Sequence, residues 1–325
     1  MKTIRRLLCL SAGLLLPAVV TAAVAQQSYP SRPVRVIVAF APGGSADYVA
    51  RVVGHKLGEQ LGQQFVVDNR AGASGAIGTD LVAKSAPDGY TLLLSEVSSL
   101  VINPQIKKVP YDPVRDFAAV SPLASGYHVL VVHPSLPARS VKELIALAKA
   151  RPGEINFASG GSGSNLFLIA EIFKTTAGIN LSHIPYKGAG PAGLAVLSGE
   201  AHTMFASITA LIQFLRSGRL VALAVTSPHR SPLLPEVPTL VESGLRGVEV
   251  AAWFGLMAPA ATPREVIARL NAEIIKLAAT PDYRAQLEKR GYEPFTSSPE
   301  QYSAYLNAEI EKWGKVLKAL GMKRN

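Results

Sequence analysis

The chain has 325 residues, of which 48% are hydrophobic and 17% are charged, and its formal net charge is +10. This composition describes a globular protein, and the length favours two domains over one ordinary core. The Lys and Arg residues are scattered and no basic stripe with interleaved aromatic residues appears, so we expect no nucleic-acid partner.

The first 25 residues have the pattern of a secretory signal peptide. Basic residues open the chain, the apolar run Leu7–Val20 follows, and Ala23-Val24-Ala25 supplies the small residues at which a signal is cleaved. A membrane anchor is the alternative, but the run is short and is interrupted by Gly13 and Pro17. We therefore expect a soluble exported protein, periplasmic in a cell with two membranes. Cys9 would be removed with the signal, which leaves the mature chain without thiols.

Strand-like and helix-like segments then alternate in two series. In the first series we predict strands at Val34–Phe40, Phe65–Asp68, Tyr90–Leu94 and Phe117–Pro122, and helices at Ala46–Leu61 and from Gly72–Gly75 to about Lys84. Ser95–Leu100 is predicted as a polar loop or helix start. Asn103-Pro104 and Pro110–Pro113 indicate irregular chain.

The pattern restarts after Tyr127. The predicted strands are Val129–Val132, Ile155–Ala158, Leu181–Tyr186, Thr203–Ala206 and Val221–Thr226, and the helices between them are Val141–Ala150, Asn165–Ala177, Pro191–Ser198 and Ala210–Ser217. A strand at Val250–Met257 follows a loop rich in Pro and Gly. Three helices end the chain, at Arg264–Ala278, Asp282–Lys289 and Gln301–Leu320, and the apolar stripe of the last one predicts docking onto its own domain.

Two alternating series predict an α/β protein of two lobes, each a mainly parallel sheet flanked by helices. We place the crossovers between the lobes near Ala124–Tyr127 and near Val248–Trp253. Lobe 1 would then comprise residues 26–124 and 251–325, and lobe 2 residues 125–250. Two lobes joined by two strands form a hinge with a cleft between them.

Small polar loops follow the predicted strands, at the edge where open α/β sheets bind ligands. In Ala41–Ser45, a glycine turn joins a buried strand to a helix start, whose first N–H groups carry the positive end of the helix dipole. Ser159–Ser164 repeats this glycine-serine turn in the second series. We expect the turns to hold an anion, most simply a carboxylate. The candidate ligand-binding residues are Ala41, Gly43, Gly44, Ser45, Asp47, Ser95, Ser98, Ser159, Gly161, Ser162, Gly163, Ser164, Tyr186 and Ser207.

Some roles stay open at this point. Asp47 either contacts the ligand or caps its own helix. Lys187 either meets the charge of the ligand or points to solvent. Ser162 lies in a sequence similar to a nucleophile elbow, although Ser replaces the final Gly of that motif. An exported hydrolase that uses Ser162 is therefore an alternative class of function.

The sequence shows no pattern typical of nucleotide binding or of a metal site. The spacing of Gly72, Gly75 and Gly78 matches neither the dinucleotide fingerprint nor a P-loop. His128 and His133 lie at odd spacing on one strand and so cannot share a metal, and no cysteine remains after export. We predict no enzyme activity, no cofactor and no metal.

The chain resembles the tripartite tricarboxylate transporter receptors, also called Bug proteins. The matching segments run in order through almost all of the mature chain. They are YPSRPVRVIVAFAPGGSADYVAR (29–51), VVDNRAGASGAIGTDLVAKSAPDGYTLL (66–93), INP (102–104), PYDPVRDFAAVSPL (110–123), HIPYKGAGPA (183–192), LAVTSPHRSPLLPEVPTLVESGL (223–245) and WFGLMAPAATP (253–263).

The resemblance implies a periplasmic solute-binding protein of type II-like fold whose lobes close on a small carboxylic acid. In that family, loops matching Ala41–Asp47 and Ser159–Ser164 hold the carboxylate largely through backbone groups and waters. The implied partners are the membrane permease subunits of the transporter, and we expect a monomer. A ligand sensor for a signalling system is the alternative. Phe167 departs from the family, which often has His there, and the acid often found near Ala195 is missing.

Overall fold

The computed structural model describes residues 29–162, 164–186, 188–248 and 250–322. The predicted signal peptide and the candidates Gly163 and Lys187 lie outside these residues. The strands of the described chain are β1 Val34–Val38, β2 Phe65–Asn69, β3 Thr91–Glu96, β4 Phe117–Val132, β5 Asn156–Ser159, β6 Ser182–Pro185, β7 Thr203–Ser207, β8 Val221–Val225, β9 Ala251–Pro259 and β10 Tyr292–Pro294.

Helices follow most of the strands. They are α1 Ser45–Leu61, α2 Ala76–Ala83, α3 Asn103–Ile106, α4 Val141–Ala150, α5 Asn165–Ala177, α6 Ala189–Ser198, α7 Ile208–Arg216, α8 Arg264–Ala278, α9 Pro281–Glu288 and α10 Pro299–Ala319. Shorter helical turns at Ala73–Gly75 and Ser98–Ile102 lead into α2 and α3. None of the helices in the described ranges is long and apolar enough to cross a membrane.

Strand β4 runs the length of the sheet and pairs with different strands along its two parts. Its residues Phe117–Tyr127 pair with β9, and His128–Val132 pair with β7. We call β1, β2, β3, β9 and β10 with the first part of β4 the first half, and β5 to β8 with the last part of β4 the second half.

The sequence predicts two separate strands here, and that prediction is wrong. Gly126 falls in the predicted crossover Ala124–Tyr127, but it pairs with Ala252 on one side and with Tyr292 on the other. A side chain at Gly126 would collide with the Tyr292 ring, so this glycine allows close approach rather than a turn.

The two-lobe α/β class is confirmed, and the sheet is mixed. The pairs β1–β2, β1–β3, β5–β6 and β5–β7 are parallel, as alternation predicts. The pairs that β9 forms with β3 and β4 are antiparallel, and so are those of β4 with β7, β8 and β10. The chain reaches β9 through a long connection without a crossover helix. Because parallel strands are usually joined by such a helix, β9 is free to pair antiparallel with its neighbours.

Two short elements were not predicted. Helix α3 lies in the segment expected to be irregular, where Pro104 occupies its first turn, a position that tolerates the missing N–H of proline. Strand β10 is only three residues long and carries no clear period.

The C-terminal helices return to the first half, as predicted. Helices α8 and α10 both pack on β4, and α8 and α9 also contact α1. The apolar stripe of α10 is buried through Tyr302, Leu306, Trp313 and Leu317. The C-terminal helices are therefore part of the packed core of the first half.

Candidate functional site

The first glycine turn connects β1 to α1. Gly43 has a φ of +84°, which favours glycine, and Gly44 is the N-cap of α1 without a side chain to cap it. The first intrahelical bond runs from the Tyr48 N–H to the Gly44 carbonyl, at 3.0 Å. The N–H groups of the first turn of α1 therefore remain uncapped by a side chain, which makes the turn suited to an anion.

Asp47 holds this turn in place. Its carboxylate, in a residue only 5% exposed, accepts the Gly43 N–H at 2.9 Å and two hydrogen bonds from Arg51 at 3.0 and 2.9 Å. Burial raises the pKa of Asp47, but these hydrogen bonds outweigh it, so the pKa lies below its ordinary value. Asp47 thus faces its own turn and helix. Its bond also occupies the Gly43 N–H that we expected to meet a ligand.

Ser45 at the start of α1 is bonded to a residue that no sequence signal marked. The Tyr292 hydroxyl donates to Ser45 Oγ at 2.5 Å. Burial raises the pKa of Tyr292, and the hydroxyls of Ser45 and Ser207 oppose that rise, so both serines face the phenol. The candidates Ser45 and Ser207, from opposite halves of the sheet, are therefore brought together around one tyrosine.

The second glycine turn is organised by Ser159. Its hydroxyl accepts the Gly161 N–H at 3.1 Å and lies 2.7 Å from His183 Nε2. Gly161 has a φ of +113°, and Ser162 is exposed. The Ser164 hydroxyl caps α5 by accepting the Phe167 N–H at 3.2 Å. The structure therefore assigns Ser159 and Ser164 to shaping the turn.

His183 belongs to an aromatic cluster behind this turn. Its ring centroid is 4.8 Å from that of Phe157 and 4.6 Å from that of Phe167. Burial lowers the pKa of His183, with Glu171 raising and Lys174 lowering it further. Phe167, the position that departs from the family, thus packs on the histidine that bonds Ser159. His183 bonds Ser159, and not the nucleophile candidate Ser162.

The side chains of two candidates, Ser95 and Tyr186, form hydrogen bonds outside the two glycine turns. Ser95 is fully buried and bonds the Tyr302 hydroxyl of α10 at 2.7 Å, because strand alternation turns it to the core face. The Tyr186 hydroxyl donates to Glu200 Oε1 at 2.8 Å, toward the end of α6. Ala41 is exposed beside the first turn, and Ser98 is buried two residues after the end of β3.

Glu96 is the last residue of β3 and lies two residues before Ser98. Its Oε1 accepts the Ser98 N–H at 3.2 Å. Burial raises the pKa of Glu96 to about 7, although Ser98 and Ser99 lower it in part. Glu96 is the only acid in Ser95–Ser99. Because no second acid or base stands beside it in the sequence, it matched no pattern of a paired general acid and base.

A third turn, Gly72–Gly75, packs beside the first one. Ala73 and Ser74 both have positive φ values, 48° and 56°, and the Asn103 side chain donates to the Ser74 carbonyl. Gly75 leaves no room for a side chain beside Phe40 and Ser99. The ends of β1, β2 and β3 are thus gathered at one edge of the first half.

A cleft of about 600 Å³ opens where the two halves meet. It is lined by residues 227–233, by Arg284 and Glu288 of α9 and by β10, including Tyr292. A second hollow of about 460 Å³ lies against α6 and includes Tyr186 and Leu194. The first cleft touches the predicted site through Tyr292, whose hydroxyl bonds Ser45. No cluster of three potential metal ligands occurs among the residues that the structure describes.

Comparison with known proteins places this geometry in context. The family model described as "Tripartite tricarboxylate transporter family receptor" matches residues 49–322. The chain is 39% identical to the protein BugT of Bordetella pertussis over 320 residues, which cover 98% of each chain. It is 41% identical over 291 residues to a UPF0065 protein of Pseudomonas sp. strain P51, covering 89% of this chain and 87% of that one.

Solved structures agree with these relatives. A protein from R. palustris with adipate is 36% identical, with a TM-score of 0.86 over 91% of this chain and 100% of that one. MatC from Rhodopseudomonas palustris with bound malate is 30% identical, with a TM-score of 0.80 over 89% of this chain and all of the other. The periplasmic binding protein BugD is 33% identical, with a TM-score of 0.83 over 91% and 100%.

Proposed function

The chain belongs to the tripartite tricarboxylate transporter receptor family, and from this premise we propose that it captures a small organic carboxylate between its lobes. It is a solute-binding protein of a receptor family rather than a member of an enzyme family. Two solved relatives, at 36% and 30% identity, were determined with adipate and with malate, both carboxylic acids. These relatives support the same chemical class of ligand here.

The observation that carries the proposal is the uncapped start of α1 at Gly44. Asp47 neutralises its charge against Arg51 and uses the Gly43 N–H, so it stiffens the turn without occupying the N–H groups that follow Gly44. A carboxylate placed there meets oriented donors and the positive end of the α1 dipole. The second turn, held by Ser159, would approach the same ligand from the other half.

Capture would proceed by hinge motion. The proposed lobes are residues 26–124 with 251–325 and residues 125–250, joined through β4 and through the chain that leads into β9. Thr226 Oγ1 accepts the His128 N–H at 3.0 Å and donates to the Val250 carbonyl at 2.9 Å, which ties the two connections together. A coupled pair of connections restricts the lobes to a limited opening, as in hinge closure around ligands.

The remaining assignments follow from the family. Export by cleavage of residues 1–25 would place the protein in the periplasm as a monomer. It would deliver its ligand to the membrane permease subunits of a tripartite tricarboxylate-type transporter.

A thermal-shift screen of the exported protein against a panel of carboxylic acids tests this function. A ligand that binds only the folded state at 100 times its Kd adds about 2.7 kcal/mol to the free energy of unfolding, so a clear, concentration-dependent rise in Tm is expected. Intact mass of the same sample reports the cleavage site. Binding of no acid in the panel would contradict the proposal.

A further inference from the structure

The hydroxyl of Ser159 is the centre of the second glycine turn. Ser159 is fully buried, and its Oγ accepts the Gly161 N–H at 3.1 Å. The same oxygen lies 2.7 Å from His183 Nε2 and 3.3 Å from the Gly161 carbonyl oxygen. A hydroxyl has one proton to donate and two lone pairs that accept. Because the Gly161 N–H uses one lone pair, the Ser159 proton can be donated either to His183 or to the Gly161 carbonyl.

The proton on His183 Nε2 decides between these two hydrogen bonds. When Nε2 carries no proton, it accepts the Ser159 hydroxyl, and the Gly161 carbonyl is left without this donor. When the ring is an imidazolium, Nε2–H donates to Ser159 Oγ, and the hydroxyl proton is free to bond the Gly161 carbonyl. Ser159 then holds both the N–H and the carbonyl of Gly161. The turn therefore has two hydrogen-bond arrangements that differ by one proton on the histidine.

Two aromatic side chains enclose the ring of His183. Its centroid lies 4.6 Å from that of Phe167 on α5 and 4.8 Å from that of Phe157 on β5, with which it is stacked. This burial lowers the pKa of His183, so the ring of the free protein is neutral at neutral pH. The faces of aromatic rings also attract a cation, so the same enclosure accommodates an imidazolium once it forms.

The charged groups that act on His183 come from α5. Besides burial, Glu171 raises the pKa of His183 and Lys174 lowers it. These two side chains form an ion pair at 2.8 Å, so their effects on the ring oppose each other. Strand β5, the other element that packs on the ring, carries no titratable side chain. An anion bound at the second turn would therefore add the charge that favours the imidazolium.

We propose that His183 is a positioning residue of the second glycine turn, and that it takes up a proton from solvent when a carboxylate binds and so directs the Ser159 hydroxyl to the Gly161 carbonyl. The proton is bound at Nε2 and returns to solvent when the ligand leaves. This inference rests on the proposed function, because the carboxylate of the ligand supplies the charge that draws the proton.

Calorimetric titration in two buffers of different ionisation enthalpy, PIPES and bis-Tris, counts the protons taken up on binding. The probes are adipate, malate and the acid of the panel with the largest rise in Tm, each titrated into the full exported protein at about pH 7. Binding should take up a clear fraction of a proton, up to about one. His183→Gln keeps a polar group beside Ser159 but does not titrate, so the uptake should disappear.

His133→Gln is the matched control. It removes a histidine that follows β4 and whose Nδ1 also lies 2.7 Å from a serine hydroxyl, that of Ser135. This histidine–serine pair is not part of either glycine turn, so the variant should keep the proton uptake of the parent. A loss of uptake in His133→Gln equal to that in His183→Gln would contradict the assignment to the second turn.

The pH dependence of affinity gives a second measurement. Since binding takes up a proton, the affinity of the parent should rise between about pH 8 and about pH 6, approaching tenfold for each unit by which the ligand raises the pKa of His183. His183→Gln should show no such rise. Ser159→Ala should lose most of it, because the hydroxyl that transmits the state of the ring to Gly161 is gone. An undiminished rise in Ser159→Ala would overturn the positioning role.

NMR titration of the histidine ring protons tests the proposal in the parent protein itself. The signal that is missing in His183→Gln should titrate at a higher pH in the ligand-saturated protein than in the free protein. An unchanged midpoint, or uptake that persists in His183→Gln, would overturn the inference. If an acid binds without proton uptake, the proposed function stands and this inference alone fails; if no acid binds, both fail.

Discussion

Tyr292 donates a hydrogen bond to Ser45 across 2.5 Å and so joins β10, near the C-terminus, to the first turn of α1. The same strand segment also reaches the second half, where Thr209 Oγ1 donates to the Arg290 carbonyl at 2.7 Å. Ser207 faces the Tyr292 phenol from that side. A single short segment therefore contacts the first glycine turn in one half and the end of β7 in the other.

Replacing Tyr292 with Phe should weaken ligand binding. The ring would keep its edge contact with Phe254, but the bond to Ser45 would be lost, at a cost of about 1 kcal/mol for one buried hydrogen bond. That free energy corresponds to roughly fivefold in Kd if the bond supports the bound turn. Titration with the tightest acid from the screen measures it.

Tyr283→Phe is the matched control for this prediction. The Tyr283 hydroxyl donates to the Leu123 carbonyl at 3.0 Å, and the residue is as well buried as Tyr292 but is not bonded to a turn of the site. Both variants should unfold at lower denaturant concentration. Equal affinities in the two variants would show that the Ser45 bond serves stability alone.

Gly44→Val should abolish binding and leave the fold intact. Gly44 has a φ of −80° and a ψ of 177°, which any residue adopts, and an added Cβ would meet the Ala41 carbonyl at an ordinary 3.7 Å. The branched side chain would instead cover the start of α1. Circular dichroism should stay unchanged while the ligand-induced rise in Tm disappears, with a smaller loss in Gly44→Ala. Undiminished thermal shifts in the valine variant would mean that this turn is not the anion site.

The helices with a clear hydrophobic period were predictable from the sequence, and so were the two glycine turns of the candidate site. Helices α5 and α8 begin and end where their apolar spacing predicts, because each has a clear apolar face and a cap or proline at its start. The two glycine turns were visible because sharp turns and uncapped helix starts have a local signature.

Contacts between distant segments were not predictable. Tyr292 meets Ser45 across 247 residues of chain, and Ser95 meets Tyr302 across 207. Both depend on how β10 and α10 pack against the first half, which no local pattern encodes. The continuity of β4 through Gly126 has the same cause, since a partner strand on each side satisfies the backbone of the predicted crossover Ala124–Tyr127.

Asp47→Asn should loosen the first turn. The neutral amide would lose the charge-assisted bonds from Arg51, and hydrogen bonds to charged groups contribute about 1.5–3 kcal/mol each before solvent screening of the exposed guanidinium reduces this. We expect a loss of about 1 kcal/mol in the free energy of unfolding, together with weaker ligand binding because the turn is less fixed. Arg115→Ala, which breaks the surface ion pair with Asp116, is a control that should change neither quantity.

Amide hydrogen exchange separates the two effects of Asp47→Asn. Faster exchange at Gly43 and the first turn of α1, with other helices unchanged, is the expected result, because the carboxylate accepts the Gly43 N–H directly. Unchanged exchange at the turn combined with lower affinity would instead indicate that Asp47 contacts the ligand.

His128 should make the protein less stable in mild acid. It lies in β4 at the junction of the halves, only 5% exposed, and its Nδ1 has no hydrogen-bond partner among the described residues. Burial lowers the pKa of His128 to about 4, and the Val250 carbonyl raises it only in part. An unfolded histidine titrates near pH 6.5, so the unfolded state binds more protons than the folded state between these values.

The free energy of unfolding contributed by neutral His128 is therefore complete above about pH 6.5 and is lost as the pH falls toward about 4, by an amount on the order of 3 kcal/mol. Urea unfolding at closely spaced pH values measures this slope. His128→Gln should flatten it, because glutamine does not titrate, even if the variant is less stable at neutral pH. An identical slope in His128→Gln and the parent would show that another group controls the acid response.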